Sequence, residues 1–219
     1  ARTMEVMGAD VMVVRHSAPG AAQFLAENLK ASILNAGDGA HAHPTQALLD
    51  LYTIKEKKGE ISGLTVLIIG DIAHSRVARS DILGFSRMGA SVRVAGPPTM
   101  IPPGIDRLGA SVAQNVDEAV TGADVIIMLR IQKERQKRFL FPSEREYSVQ
   151  YGLNAARLAK LKPDALIMHP GPINRGVEIC QEAADGPFSV ILDQVTNGVA
   201  LRMALYYLVS GGIRDADAD

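Results

Sequence analysis

Short apolar runs alternate with amphipathic segments along most of this 219-residue chain. The runs VMVV, LTVLII and VIIM are rich in β-branched residues, whereas intervening stretches such as PGAAQFLAENL carry apolar residues near helical spacing. Strands that alternate with helices favour a mostly parallel sheet covered by helices and joined by right-handed crossovers. The alternation therefore predicts an α/β fold.

The pattern also predicts where individual elements begin and end. Buried strands are predicted at Val11–Arg15, Leu64–Gly70 and Val125–Leu129. A helix is predicted to start at Pro44 and to stop before Gly59, because proline favours the first helical turn and glycine the position after the last. A final helix is predicted over Gln194–Val209, and the polar stretch Arg130–Glu146 is predicted to be a long loop.

The composition excludes several classes of protein. The 23 Lys and Arg residues against 24 Asp and Glu, with 47% apolar residues, exclude a disordered tail and a generally basic nucleic-acid binder. The single cysteine, Cys180, excludes an intramolecular disulfide framework and is typical of a reducing compartment. No apolar run approaches the roughly 18 residues of a membrane span. We therefore expect a cytoplasmic protein that binds neither membranes nor nucleic acid.

Candidate ligand-binding residues follow four of the predicted strands. They are Arg15, Gly70–Arg76, Arg130–Gln132 and His169–Pro172. Ligands of parallel sheets collect at the carboxyl ends of the strands, so these stretches are expected to meet at one cleft. Arginine there suits a carboxylate or phosphate ligand through its bidentate guanidinium. The alternative for each arginine is an ordinary solvated side chain.

The helix predicted from Pro44 carries the sharpest local signal. His43 and Gln46 are three residues apart on its opening turn and share a face. Because a helix N-terminus attracts anions, the pair could hold a carbonyl oxygen and an amide of one small ligand. The alternative is that His43 caps the helix and Gln46 faces solvent. His41 and His43 have no nearby third ligand, so no metal site is predicted.

Three further stretches favour or exclude other activities. GDIAHSR follows a strong strand but lacks the glycine spacing of a dinucleotide loop. LRIQKERQKR is basic, but no aromatic residues interleave with it, so a solvated loop is favoured over a nucleic-acid surface. In MHPGPINRG, Gly171 has no side chain and would let backbone groups approach a ligand closely. The alternative is that the segment is a plain turn.

Six stretches resemble, in order, motifs of the catalytic chain in the aspartate carbamoyltransferase family. They are VVRHS, LNAGDG followed after three residues by HPTQALLDLYTI, GDIAHSR, LRIQKER, HPGPINRGVEI and QVTNGVALRMALYYL. The resemblance implies two three-layer domains with parallel sheets, the first only partial. Residues 1–43 and the returning segment 194–212 would belong to the carbamoyl-phosphate domain, residues 44–58 to a linking helix and residues 59–193 to the aspartate domain.

The resemblance also implies an activity and the residues that carry it. The family transfers the carbamoyl group of carbamoyl phosphate to L-aspartate in pyrimidine biosynthesis, without a metal or another cofactor. The carbamoyl-phosphate-binding residues would be Arg15, His43, Gln46, Pro170, Gly171 and Pro172. Arg15 and His43 would be catalytic through contact with the carbonyl oxygen. The aspartate-binding residues would be Arg76, Arg130 and Gln132.

Two alternatives remain at this point. The first is an ornithine carbamoyltransferase, but those enzymes carry cysteines where this chain has Thr45 and Gly171. The pair Arg76 and Arg130 also favours an anionic second substrate, so aspartate ranks ahead of ornithine. The second alternative is a non-catalytic module, because the family's Ser-Thr-Arg-Thr phosphate loop is not found in this sequence. We expect the sequence as given to lack a complete site and to be inactive by itself. The resemblance further implies that the intact protein forms a homotrimer with shared sites. Regulatory chains or a dihydroorotase are candidate further partners, and the sequence does not decide whether either binds.

Overall fold

The computed structural model describes residues 1–131 and 141–211. In these ranges the chain forms a two-stranded parallel sheet, β1-β2, and a five-stranded parallel sheet in the order β5-β4-β3-β6-β7. The strands are β1 (Val11–His16), β2 (Ser32–Asp38), β3 (Thr65–Ile69), β4 (Ser91–Ala95), β5 (Ala110–Val112), β6 (Val125–Met128) and β7 (Leu166–Met168). The predicted α/β class with parallel sheets is confirmed.

Helices alternate with these strands and cover them. They are α1 (Arg2–Val6), α2 (Ala21–Asn28), α3 (Pro44–Lys58), α4 (Arg76–Arg87), α5 (Val116–Gly122), α6 (Glu144–Tyr151), α7 (Ala155–Leu158), α8 (Gln181–Asp185) and α9 (Ile191–Val209). Two short 3₁₀ turns lie at Pro98–Met100 and Ile105–Leu108. Within the described ranges, no helix combines the length and apolar character needed to cross a membrane.

The five-stranded sheet is buried on both faces. Along β3, Val66 and Ile68 pack into one apolar layer, and the alternate residues Leu67 and Ile69 pack into the other. All four are fully inaccessible to solvent. A parallel strand that is covered on both sides reads as a continuous apolar run, which is why LTVLII is so apolar.

Helix α3 joins the two sheets. It contacts β2 on one side and both α4 and α9 on the other. It begins at Pro44, and Gly59 follows its last residue with φ +81°, as predicted. Polar groups tie it to α9, where the Asn197 amide donates to the Thr53 hydroxyl at 3.1 Å. The helix therefore carries its first turn to a position between the strand ends of both sheets.

Two predicted boundaries were wrong. The loop predicted for Arg130–Glu146 ends early, because Ser143 accepts a hydrogen bond from the Glu146 amide at 3.1 Å and begins α6. Residues 132–140 of that predicted loop lie outside the described residues. The last helix starts at Ile191 rather than Gln194, since the Gln194 amide already donates to the Val190 carbonyl at 2.9 Å. Its first turn mixes the buried residues Ile191 and Gln194 with the exposed Leu192, so the sequence pattern gives no clear start.

Candidate active site

A cleft of about 210 Å³ lies at the carboxyl ends of β1, β3, β6 and β7. It brings together seven of the nine residues predicted for the site, namely Arg15, His43, Gln46, Arg76, Arg130, Pro170 and Gly171. Pro172 is not among the residues that line the cleft, although it follows Gly171 through a cis peptide bond. Gln132 lies outside the described residues. Strand ends that are far apart in sequence thus converge as expected for parallel sheets.

Arg76 is the first residue of α4 and is almost completely buried, with 6% of its surface exposed. Ser75 caps the helix by accepting from the Ala78 amide at 3.1 Å, which fixes the turn that places Arg76. Gly37 makes room for the guanidinium, since a Cβ there would lie 2.7 Å from the Arg76 Cζ atom. The alternative of a solvated surface arginine is therefore wrong for Arg76.

Two further arginines predicted from strand ends reach the same cleft. Arg15 is exposed near the end of β1, and Arg130 is half-buried just after β6. The strand before Arg130 is fully buried, so its backbone is held firmly. Both cations consequently face the cleft from separate sheets.

Arg202 also lines the cleft, and the sequence interpretation missed it. Its Nη1 atom donates to the Gly198 carbonyl at 2.8 Å, so the side chain lies back along α9. A Cβ on Gly198 would stand 2.6 Å from that nitrogen, so glycine allows this course. A signal was present, because Arg202 is the only charged residue between 194 and 211.

His43 precedes α3 and has 8% of its surface exposed. His43 occupies the N-cap position of α3, as the capping alternative expects, but its side chain makes no capping hydrogen bond and is left for another role. Its backbone N–H donates to the Ser80 hydroxyl at 2.9 Å. Burial, together with the positive charges of Arg76, Arg15 and Arg202, lowers the pKa of His43 to about 4. The imidazole is therefore neutral near pH 7 and can donate one hydrogen bond without carrying charge.

Gln46 lies on the first turn of α3, and only 7% of its surface is exposed. Its Nε2 atom donates to the carboxyl oxygens of Asp50 at 3.1 and 3.3 Å. The alternative in which Gln46 faces solvent is therefore wrong.

The loop after β7 is held by a buried histidine. The Gly171 amide donates to the Nδ1 atom of His169 at 2.8 Å, so the ring proton must sit on Nε2. That atom lies 3.3 Å from Oε1 of Glu178, which also accepts from the Asn174 amide. These contacts fix the loop that presents Pro170 and Gly171 to the cleft. The plain-turn alternative does not account for this anchoring.

The residues that line the cleft are of two kinds. We call Arg15, Arg76, Arg130 and Arg202 the cationic wall, and His43, Gln46, Pro170 and Gly171 the neutral wall. Several guanidinium groups suit ligands with more than one anionic group. Neutral donors and acceptors beside them suit a carbonyl on which negative charge develops. Within residues 1–131 and 141–211, no group of three or more His, Cys, Asp or Glu is arranged to hold a metal ion.

Fold and cleft together define a carbamoyltransferase, and comparison with known families agrees. Residues 62–209 match the model for the Asp/Orn binding domain of aspartate/ornithine carbamoyltransferase. Residues 1–56 match the model for the carbamoyl-P binding domain of the same family. The chain belongs to the aspartate/ornithine carbamoyltransferase family, and the resemblance seen in the sequence is confirmed.

Individual relatives narrow the similarity within that family. The chain is 67% identical over 218 residues to the aspartate carbamoyltransferase catalytic subunit of Halothermothrix orenii, covering 99% of this chain and 70% of the relative. Aspartate transcarbamoylase from Trypanosoma cruzi, solved with N-(phosphonacetyl)-L-aspartic acid, superposes with a TM-score of 0.82 at 30% identity over 94% of this chain and 67% of that one. Ornithine carbamoyltransferase from Pyrococcus furiosus gives 0.84 at 28% identity, over 96% and 70%.

Proposed function

We propose that the protein transfers the carbamoyl group of carbamoyl phosphate to the amine of L-aspartate and releases phosphate, as a step of pyrimidine biosynthesis. The observation that carries this proposal is the meeting of the cationic and neutral walls in one cleft. The catalytic-subunit relatives, which reach 67% identity, support aspartate as the acceptor. No protein nucleophile is needed, because phosphate is itself the leaving group.

The neutral wall would act on the carbamoyl carbonyl. The aspartate amine forms a bond to the carbonyl carbon, and negative charge builds on the carbonyl oxygen. The bond from that carbon to the phosphate oxygen then breaks, and one proton of the amine leaves with the released phosphate. Neutral His43 and the guanidinium of Arg15 would donate to that oxygen, and one such donor is worth about 3 kcal/mol in the transition state. Because buried His43 is in place beforehand, much of the rate enhancement would come from positioning.

The same wall would hold the carbamoyl NH₂ group. Gln46 would accept one N–H with its amide oxygen, and the backbone carbonyls of the loop Pro170–Pro172 would accept the other and the attacking amine. The buried contacts of His169 keep that loop in one position.

The cationic wall would bind the two carboxylates of aspartate. Arg76 and Arg130 would each take a carboxylate, with Gln132 in support. An arginine pairs with a carboxylate through two parallel hydrogen bonds, which fixes the acceptor as well as attracting it. The cationic side chain of ornithine would meet repulsion at the same place, and Gly171 and Thr45 replace the cysteines of ornithine enzymes.

The direct test measures carbamoyl-aspartate formation by the full-length protein and by its Arg130→Ala variant. We expect the KM for aspartate to rise about 100-fold, since two charge-assisted hydrogen bonds are lost. Arg145→Ala is the matched control, because Arg145 is exposed on α6 and does not line the cleft. L-Ornithine should not be carbamoylated. Full activity of Arg130→Ala, or faster turnover of ornithine than of aspartate, would reject the proposal.

The division into domains and the assembly state belong to the same proposal. Residues 1–43 and 194–212 would form part of the carbamoyl-phosphate domain, residues 44–58 the linking helix, and residues 59–193 the aspartate domain. The full-length protein would be a cytoplasmic homotrimer with sites shared between subunits, as the family resemblance implies. Light scattering of the purified protein, with an expected mass of three chains, tests the assembly. Binding of regulatory chains or a dihydroorotase stays a prediction.

A further inference from the structure

Two aspartates lie buried behind Gln46. Asp50 is on α3, one turn after Gln46, and Asp81 is on α4, and neither side chain has any exposed surface. A buried carboxylate is costly unless its charge is paired or hydrogen-bonded. No arginine or lysine of the described residues forms an ion pair with either one, so other groups must account for their burial.

A chain of hydrogen bonds fixes the role of Asp50. The backbone N–H of His169 donates to Oε1 of Gln194 at 2.9 Å, and a backbone N–H can only donate. The other end of that amide, Nε2 of Gln194, therefore faces Asp50 and donates to its Oδ1 at 2.7 Å. Asp50 must accept at this oxygen, so it is an acceptor whatever the ligand.

The orientation of the Gln46 amide follows from this role. Its Nε2 atom lies 3.1 Å from one Asp50 oxygen and 3.3 Å from the other, and two accepting oxygens require a donor. The amide oxygen of Gln46 is then on the opposite side, toward the cleft that Gln46 lines. A ligand at this position meets an acceptor and must supply a donor.

Asp81 keeps Asp50 in this state. Asp81 lies close enough to Asp50 for the two charges to interact, and neither Asp81 oxygen has a hydrogen-bond partner in the described part of the chain. Two buried carboxyls in contact cannot both be ionised. Burial raises the pKa of both groups, and the nearby charge of Asp50 raises the pKa of Asp81 further. Asp50 accepts hydrogen bonds from the Gln46 and Gln194 amides and Asp81 accepts none, so the proton belongs on Asp81.

We propose that Asp50 is a positioning residue which turns the Gln46 oxygen toward the N–H₂ group of the ligand, and that protonated Asp81 keeps Asp50 an acceptor. The pair would thus select a carbamoyl group over an acyl group of the same shape without N–H. This inference rests on the proposed function only in taking carbamoyl phosphate as the ligand. It concerns the choice of the transferred group, whereas the arginines concern its acceptor.

The test compares carbamoyl phosphate with acetyl phosphate, in which a methyl group replaces NH₂. Dissociation constants of both are measured by calorimetry on the full-length protein without aspartate. We expect carbamoyl phosphate to bind about tenfold more tightly, because a methyl group leaves the Gln46 oxygen unpaired. In Asp50→Asn the introduced amide accepts from Gln194 with its oxygen and offers its NH₂ to Gln46. The Gln46 amide then reverses, and its NH₂ group faces the ligand. Carbamoyl phosphate should then bind no more tightly than acetyl phosphate.

Two further variants make the result decisive. Asp81→Asn supplies a permanent N–H donor to Asp50 and should keep the tenfold preference to within about twofold. Asp50→Ser serves if Asp50→Asn does not fold, because it removes both carboxyl oxygens and leaves room for water. It should also lose the preference. General damage to the fold would weaken both ligands alike and leave their ratio unchanged.

The outcomes separate the inference from the proposed function. An unchanged preference in the folded Asp50 variant would overturn the inference. Loss of the preference in Asp81→Asn as complete as in the Asp50 variant would overturn the assignment of the proton. By contrast, failure of the unaltered protein to carbamoylate aspartate would reject the proposed function, whatever the variants do.

Discussion

The neutral and cationic walls of the cleft differ in how firmly their side chains are held. His43 and Gln46 are buried, and each has contacts behind it, the Ser80 hydroxyl for the His43 backbone and Asp50 for the Gln46 amide. On the cationic wall, by contrast, Arg15 and Arg202 are exposed. His43 acts on a developing charge and needs a fixed position before the ligand binds, whereas long-range attraction of an anion tolerates mobility. The exposed guanidinium of Arg15 would take its position on the carbonyl oxygen only when the ligand is bound.

Arg76 is the exception on the cationic wall, because it is buried and packed over Gly37. Interactions between charges strengthen as water is removed around them, so a buried arginine should contribute more than an exposed one. Burial rather than charge should therefore rank the side chains of the cleft, and the variants below test this order.

The largest effect is expected for Arg76→Ala. Removing a buried guanidinium that pairs with a substrate carboxylate should lower kcat/KM for aspartate by about 1,000-fold, or about 4 kcal/mol. Steady-state kinetics of the full-length protein would measure it. Arg79 lies three residues further along the same helix and is exposed, so Arg79→Ala should change kcat/KM by less than about twofold. Equal losses in the two variants would show that burial does not rank these arginines.

His43→Ala tests the neutral wall and should lower kcat by about 100-fold, since one fixed donor to the carbonyl oxygen is lost. The KM for aspartate should change little, because the imidazole contacts the other substrate. The informative result is a fall in kcat without a change in the KM for aspartate. A rise in KM with kcat intact would place His43 in acceptor binding rather than on the carbonyl.

The next prediction concerns the protonation of His43. Its pKa is lowered from 6.5 to about 4, so the unfolded chain takes up a proton at a pH where the folded chain does not. The stability contributed by neutral His43 is full above pH 6.5 and is lost as the pH falls toward 4, by about 2 kcal/mol between pH 7 and pH 5. Urea unfolding should show this slope, and His43→Asn should remove it. An NMR titration midpoint of His43 near 6.5 would contradict the account.

The smallest effect is expected for Gly37→Ala. The added Cβ would lie 2.7 Å from the Arg76 guanidinium, at a position with φ +116° that side chains rarely adopt. Displacing Arg76 without removing it should raise the KM for aspartate about tenfold. Gly122→Ala is the control, because a Cβ there meets nothing within 4 Å. Unchanged kinetics in a folded Gly37→Ala would show that Arg76 does not need this packing.

Cleft residues that lie at or near strand ends are predicted from the sequence more easily than the other cleft residues. Arg15, Arg76 and Arg130 each lie at or shortly after the end of an apolar strand. Parallel strands bring their carboxyl ends together at one edge of the sheet. Pro44 and Gly59 likewise mark α3 through local backbone preferences. These features depend on residues close in sequence, so pattern alone predicts them.

The remaining features depend on contacts between distant segments. Arg202 lies on an apolar helix, and its course toward the cleft depends on Gly198 and on the packing of α9 against α3. Asp50 and Asp81 are 31 residues apart, and each would pass in the sequence for a polar helix residue. Only the folded structure shows that both are buried and close enough for their charges to interact.

The most direct measurement is a crystal structure of the full-length protein with N-(phosphonacetyl)-L-aspartic acid, the molecule bound in the Trypanosoma cruzi enzyme. The aspartate carboxylates of the molecule should pair with Arg76 and Arg130. Its carbonyl oxygen should lie within hydrogen-bonding distance of His43 on the neutral wall. A molecule whose carboxylates lie on the neutral wall, or whose carbonyl faces away from His43, would contradict the division of labour between the two walls.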